Sequence, residues 1–192
     1  MSNTGKGERR SQLKTIRLSE SLAQSLEKEA TDEGTTVNAL VNSILGRHYG
    51  WDKKAREFGF VWVHKPIFRR LVEIADDEEL AQLGREVIFA TWKEMAEFWL
   101  GDSTPEGILD ALSLRSRYGS STRTSVTRDE DEYTIVLHHE FGPRHSIALK
   151  SALQELAKSF HATPRLSAGE SVVTARFKVN PRARPPDSKS HK

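Results

Sequence analysis

Three histidines and one carboxylate lie close together between residues 138 and 145, and their types suggest metal binding. The run reads His138-His139-Glu140-Phe141-Gly142-Pro143-Arg144-His145, where a strand pattern ends and a helix pattern begins. Two imidazoles and one carboxylate can hold zinc, nickel or iron. Because His138 and His139 face opposite sides of a strand, at most one of them can join Glu140 or His145 in a site. We take His139, Glu140 and His145 as the candidate ligands. A structural role is the alternative, with histidines that hydrogen-bond locally and a Glu140–Arg144 ion pair, and a histidine beside Glu140 would also suit proton sensing.

Motifs typical of enzymes are missing from the sequence. It has no Gly-rich phosphate loop, no serine-elbow motif and no His-Glu-Xaa-Xaa-His run, and it contains no cysteine. We therefore expect a protein that is not an enzyme and holds no metal or cofactor. The lack of cysteine fits a reducing compartment, and we expect a cytoplasmic, nucleoid-associated protein with no membrane partner.

The first residues of the chain carry an excess of positive charge. Residues 1–19 hold five basic side chains and one acidic side chain, although the whole chain has a formal net charge of only +2. Residues 1–12 are polar and without periodicity, which predicts a disordered arm. Arg9, Arg10 and Lys14 in and beside this arm are therefore candidates for contacts to nucleic-acid phosphates.

Residues 13–50 read as a short strand followed by two amphipathic helices. Apolar Ile16 and Leu18 alternate with Thr15 and Arg17, as in a strand with one buried face. Ser19 is the predicted cap of a first helix that Gly34 ends, and Thr35 or Thr36 opens a second one that runs out near residues 46–50. The apolar faces of the two helices contain Leu22, Ala23, Leu26 and Ala30, then Val37, Leu40, Val41, Ile44 and Leu45.

This module is too small to be stable as a single copy. A lone strand has no partner for its hydrogen bonds, and two short helices bury little apolar surface. Two copies that pair residues 14–18 antiparallel would form a two-stranded ribbon over a shared four-helix core. Such a ribbon fits the major groove of DNA, with Thr15 and Arg17 facing outward.

The segment resembles the ribbon-helix-helix family of DNA-binding proteins, to which the Arc and methionine repressors belong. The resemblance rests on Thr-Ile-Arg-Leu at 15–18, the cap at Ser19, the glycine turn at Gly34 and the apolar spacing of the two helices. It covers about a fifth of the chain. Lys14 departs from the pattern, because many members of the family have an apolar residue there.

The resemblance implies specific DNA contacts. Thr15 and Arg17 would reach base edges, with Leu13 beside them if the strand extends that far, and the planar fork of Arg17 suits guanine. Thr35, Thr36 and Val37 would hold a phosphate at the N-terminus of the second helix. The alternatives are a solvated strand face for Arg17 and simple helix capping for the threonines.

Residues 51–180 predict a second, α+β domain. The aromatic segment 51–63 is interpreted as a joint between domains. Helix patterns then begin at Pro66 and at the acidic run 76–79. Two more cover 80–100, with a possible break at Gly84, and 104 to just before Gly119. The last third predicts a small ββαβ antiparallel sheet: strands at 125–127 and 133–139, a helix at 147–160, a strand at 171–179 and a possible short strand at 165–167. Residues 181–192 predict a disordered tail.

Together these features predict a homodimeric, sequence-specific transcriptional regulator, such as a repressor, that binds double-stranded DNA. The second domain would bind a small-molecule or protein effector, or join two dimers into a tetramer. Two alternatives stay open, namely an antitoxin that also controls its own operon and an architectural or partition protein with weak sequence preference.

Overall fold

The computed structural model describes residues 12–118 and 122–179 of the 192-residue chain. The chain is a mixed α+β protein that divides into two compact units, the first extending to Tyr49 and the second starting at Gly50. Within the described ranges, no helix is long and apolar enough to cross a membrane. The predicted arm and tail, with Arg9 and Arg10, lie outside the described residues apart from Gln12.

The first unit contains two helices, α1 (Glu20–Asp32) and α2 (Val37–Arg47). Leu26 and Ala30 of α1 pack on Leu40 of α2 and form a small buried cluster. Residues 12–19 belong to no helix or strand in the single chain. A strand at residues 14–18 therefore remains a prediction, because its hydrogen-bonding partner would be a second copy.

The second helix ends at Arg47, within the predicted range of 46–50, but helical backbone continues beyond it. A π-helical turn (His48–Asp52) follows α2 directly, and α3 (Lys53–Phe58) extends it to Gly59. Gly46 and Gly50 do not stop this path, because neither has the positive φ of a glycine that ends a helix. Trp51 and Ala55 join the buried core of the second unit.

Four further helices precede the sheet of the second unit. They are α4 (Lys65–Ile74), α5 (Asp77–Gln82), α6 (Phe89–Leu100) and α7 (Pro105–Tyr118). Asp76 caps α5 and forms a reciprocal capping box with Glu79, which explains the acidic run without a metal ion. A π-helical segment (Leu83–Ile88) joins α5 to α6 where the sequence predicted a break at Gly84.

The sheet has four antiparallel strands in the order β1-β2-β4-β3. The strands are β1 (Thr122–Asp129), β2 (Glu132–His139), β3 (Arg165–Ala168) and β4 (Val172–Lys178), and α8 (Pro143–Ser159) lies between β2 and β3 in the sequence. Alternate residues of β2 and β4 are buried, and Ile135 pairs with Ala175 in register. These residues share one core with the apolar side of α8. The predicted antiparallel sheet is confirmed, and the possible short strand is present as β3.

Candidate nucleic-acid interface

The turn between α1 and α2 is fixed by glycine and by backbone hydrogen bonds. Gly34 has a φ of +63°, a conformation that costs side-chain-bearing residues energy. The N–H of Gly34 donates to Thr31 O at 3.1 Å, and the N–H of Thr35 donates to Ala30 O at 2.8 Å. This pair of bonds is a Schellman motif, which sets the angle at which α2 leaves α1.

Side-chain caps begin both helices at the predicted residues. Ser19 Oγ accepts from the N–H of Leu22 at 3.4 Å, and Thr36 Oγ1 accepts from the N–H of Ala39 at 3.2 Å. Thr36, and not Thr35, is therefore the cap of α2. Because the N–H of Thr35 is already donated to Ala30, the backbone donors left for a phosphate at this end are those nearest Val37.

The predicted DNA-contacting residues of the strand lie on open surface. The predicted base-reading residues Leu13, Thr15 and Arg17 are exposed, as is the predicted phosphate contact Lys14. The alternating apolar residues Ile16 and Leu18 are exposed too. Neither the polar nor the apolar positions of this segment are buried against the rest of a single chain. Both faces of the predicted strand are thus accessible, one to DNA and the other to a second copy.

Several apolar side chains of the first unit have no cover in a single copy. Leu22, Ile44 and Leu45 are about half exposed, in addition to Ile16 and Leu18. Leucine and isoleucine normally contribute about 1.5–3 kcal/mol each when they are fully buried. By comparison, the cluster that α1 and α2 bury between them has three buried residues, with Val37 and Val41 packed against it.

The second unit does not bring the three candidate metal ligands together. His139 and His145 are buried with ring centroids 5.1 Å apart, but Glu140 is exposed and forms an ion pair with Lys65 of α4. The hydrogen bond and the charge of Lys65 hold the pKa of Glu140 below its usual range. Among the described residues, no group of three His, Cys, Asp or Glu side chains is arranged to hold a metal ion.

His139 is instead part of a chain of hydrogen bonds. Its Nδ1 accepts from the N–H of Phe141 at 3.3 Å, and its Nε2 lies 2.8 Å from Ser146 Oγ, which donates to Gly169 O at 2.7 Å. These roles require a neutral imidazole protonated at Nε2. Burial, followed by the charge of His138, lowers the pKa of His139 and favours that form.

His145 lies among aromatic rings at the first turn of α8. Its ring centroid is 5.5 Å from that of Phe68 and 5.2 Å from that of Phe141. Burial, with smaller contributions from His139 and Arg115, lowers the pKa of His145 to about 4. Within the described residues its Nδ1 has no hydrogen-bond partner, so this histidine is held by packing.

One alternative considered for this cluster, the Glu140–Arg144 ion pair, is wrong. Glu140 pairs with Lys65, and the guanidinium of Arg144 contacts Asp77 Oδ1 at 3.1 Å and the carbonyl of Ala75. These partners are about 70 residues away in the sequence, so no local pattern indicated them. Proton sensing by a histidine beside Glu140 stays a prediction.

Sequence reasoning missed Ser146 and Arg115, which both influence the cluster. Ser146 is buried and links His139 to Gly169, whereas Arg115 adds a positive charge that acts on His145. Arg115 follows Ile108 by seven residues and Leu112 by three on α7. That spacing, which continues the buried stripe of the helix, is the signal that would have placed Arg115 near the core.

Comparison with known proteins finds no match to the chain. The chain matches no protein-family model, and no curated protein or solved structure is similar to it.

Proposed function

We propose that the chain is a homodimeric, sequence-specific DNA-binding regulator of the ribbon-helix-helix type. Residues 14–18 of two copies would pair as an antiparallel ribbon that enters the major groove of DNA. The observation that carries the proposal is the uncovered apolar face of the first unit, formed by Ile16, Leu18, Leu22, Ile44 and Leu45. A second copy would bury this face and give the strand its hydrogen-bonding partner.

The capped helices and the glycine turn support the same architecture. Ser19, Gly34 and Thr36 hold α1 and α2 in the order and lengths that the resemblance requires. With Ile16 and Leu18 turned to a shared core, Leu13, Thr15 and Arg17 would project together from the other side of the ribbon. Arg9, Arg10, Lys14 and the start of α2 at Thr35, Thr36 and Val37 would contact phosphates, which position the ribbon without specifying sequence.

The second unit favours a regulator over an antitoxin. An antitoxin segment that folds on its toxin lacks a core of its own, whereas residues of α6, α7, α8 and the sheet share one buried core here. In our proposal this unit binds an effector or a second dimer and so changes how the ribbons engage DNA. An architectural protein would bind with weak sequence preference, which the following test distinguishes.

The test is selection of genomic DNA fragments by the purified protein at two salt concentrations. A regulator is expected to retain a short repeated motif at the higher salt, since base contacts persist when phosphate contacts are screened. Retention of unrelated fragments that is lost at the higher salt would contradict sequence-specific binding and favour an architectural role.

The Arg17→Ala variant is expected to lose discrimination at one base pair of that motif. A bidentate arginine–guanine contact is worth about 1–3 kcal/mol of discrimination against the wrong base. The measurement is affinity for the selected motif and for variants of each base pair. Lys28→Ala, which removes an exposed cation from α1, is the control and should leave the preference intact. Equal weakening on all sequences would mean that Arg17 contacts only phosphate.

The Ile44→Asp variant is expected to be monomeric. Ile44 is about half exposed in the single chain, so a carboxylate there is tolerated by one copy but is costly inside a shared core. Sedimentation at micromolar protein should show a dimer for the wild type and a monomer for the variant, with DNA binding lost. Ser43→Asp, at a neighbouring exposed position of α2, is the matched control. A wild-type monomer, or an Ile44→Asp dimer that still binds DNA, would contradict the proposed interface.

A further inference from the structure

The second unit has an apolar surface that its own core does not use. It comprises the segment Val61–Val63 and one side of α4, with Ile67, Leu71 and Ile74, and we call it the α4 face. Val61 and Trp62 are 79% and 87% exposed, and the three α4 residues are 55–66% exposed. The other three tryptophans of the chain are at most 8% exposed, so Trp62 stands apart.

The helix that carries this face is firmly packed on its other side. Val72 is buried with Leu80 and Ala148, and the ring of Phe68 lies 4.6 Å from that of Phe141. Arg69 Nε also donates to the carbonyl of Glu140 at 2.7 Å. The α4 face is therefore presented by an anchored helix, and it does not result from a helix that has failed to pack.

The composition of the face indicates an interface. Clustered exposed apolar side chains on a soluble protein mark contact sites more often than single ones do. Six large apolar side chains, one of them an almost fully exposed tryptophan, lie within fourteen consecutive residues. Tryptophan is enriched among the residues that contribute most to protein interfaces.

The spacing of the apolar residues fits a second copy of the same helix. Ile67, Leu71 and Ile74 are separated by four and then three residues, which is the pattern of a helix–helix seam. Leu71 also lies within one residue of the midpoint between Ile67 and Ile74. In an antiparallel pair related by a two-fold axis, Leu71 would therefore meet its own copy while Ile67 meets Ile74 of the other copy.

Ion pairs beside the face limit repulsion between two copies. Arg70 and Glu73 form an ion pair at 3.3 Å, and Lys65 is paired with Glu140. Arg69 donates to the carbonyl of Glu140. Two of the three cations of α4 are therefore paired with carboxylates, which reduces the repulsion between two antiparallel copies of the helix.

We propose that the α4 face is a second self-association surface, on which α4 packs antiparallel against α4 of another copy of this chain. The inference rests on the proposed function in one respect. Dimerisation through the first unit would raise the effective concentration of one second unit near the other, which strengthens a contact of modest area.

The test uses the absence of cysteine from the chain, because a single introduced cysteine can form a disulfide only with another copy. In the full-length Leu71→Cys variant, mild oxidation is expected to link two chains on the order of tenfold faster than in Glu73→Cys, since a disulfide requires closely spaced Cα atoms. Glu73 is an exposed residue of the same helix outside the seam, so it is a matched control. Equal rates at the two positions would overturn the proposal.

Fluorescence of Trp62 gives a second readout that does not depend on oxidation. Acrylamide is expected to quench the wild type weakly, and quenching is expected to rise in Leu71→Asp, which separates the two helices while the far-ultraviolet circular dichroism stays unchanged. Protection of Trp62 that persists in Leu71→Asp would mean that something other than a second α4 covers the face, and would overturn the proposal.

Failure of this inference is distinguishable from failure of the proposed function. Cross-linking at Leu71 reports on α4, whereas fragment selection and the Ile44→Asp mass report on the first unit. A wild type that binds its motif but does not cross-link at Leu71 would overturn only the α4 contact. Cross-linking at Leu71 without motif selection would support the α4 contact and contradict the DNA-binding proposal.

Discussion

Gly84→Ala is expected to lower the free energy of unfolding by about 3 kcal/mol or more, the upper range for overpacking a well-packed core. A Cβ atom built on Gly84 would lie 2.1 Å from the carbonyl oxygen of Ala148 and 2.8 Å from Cβ of Ser151, both on α8. The first of these atoms belongs to the backbone and cannot move without displacing α8. Since α8 covers the sheet, the strain would act on the centre of the second unit.

Helix propensity alone predicts the opposite sign. Alanine is favoured over glycine inside a helix by about 1 kcal/mol, so a site with free space would gain stability. Gly50→Ala provides that comparison, because the nearest atom to its added Cβ is Tyr118 Oη at 3.8 Å. Urea unfolding followed by circular dichroism should show a lower midpoint for Gly84→Ala and an unchanged or higher one for Gly50→Ala. Equal midpoints would contradict the close approach of the two helices.

The features that were predictable from the sequence are those set by neighbouring residues. Ser19, Gly34 and Thr36 act within four residues of their own position, and the structure has each in its predicted role. The strand and helix periods of the last third are equally local, and the four-stranded sheet follows them. Gly84 was recognised as a break in a helix, but the reason for a glycine there lies in α8, more than 60 residues away.

The predictions that failed depended on contacts between distant residues. The sequence places Trp62 with the other aromatic residues of segment 51–63 in a joint between domains. In the structure Phe58 and Phe60 pack near Trp99, whereas Trp62 stays exposed. The sequence suggests an ion pair between Glu140 and Arg144, four residues away, but the fold pairs Glu140 with Lys65. Periodicity shows that a side chain is apolar or charged, but it does not show which surface or partner it meets.

Acidification is expected to destabilise the second unit through His145. The pKa of this buried histidine falls from 6.5 to about 4 in the folded chain, mainly because burial penalises the charged ring. Below pH 6.5 the unfolded chain therefore binds a proton that the folded chain does not, and stability falls as the pH drops towards 4. The full pKa difference corresponds to about 3 kcal/mol of the free energy of unfolding, of which about 2 kcal/mol is lost by pH 5.

Replacement of His145 by phenylalanine should remove this contribution. The site is lined by Phe68, Phe141 and His139, and the Nδ1 of His145 has no partner in the described residues, so an apolar ring loses no hydrogen bond there. We expect His145→Phe to be at least as stable as the wild type at pH 7.5 and to depend less on pH between 7.5 and 5.

His64→Gln is the control for this measurement, because His64 is exposed and its side chain makes no capping hydrogen bond at the start of α4. It should keep the wild-type dependence on pH, measured as the change in urea midpoint from pH 7.5 to 5. His139, whose pKa is also lowered, has the same sign of effect and accounts for any slope that remains in His145→Phe. If His145→Phe and the wild type lose stability equally on acidification, His145 is not the group whose protonation weakens the fold. That result would mean that the His145 imidazole is hydrated or hydrogen-bonded in solution, and not packed without water between the rings of Phe68 and Phe141.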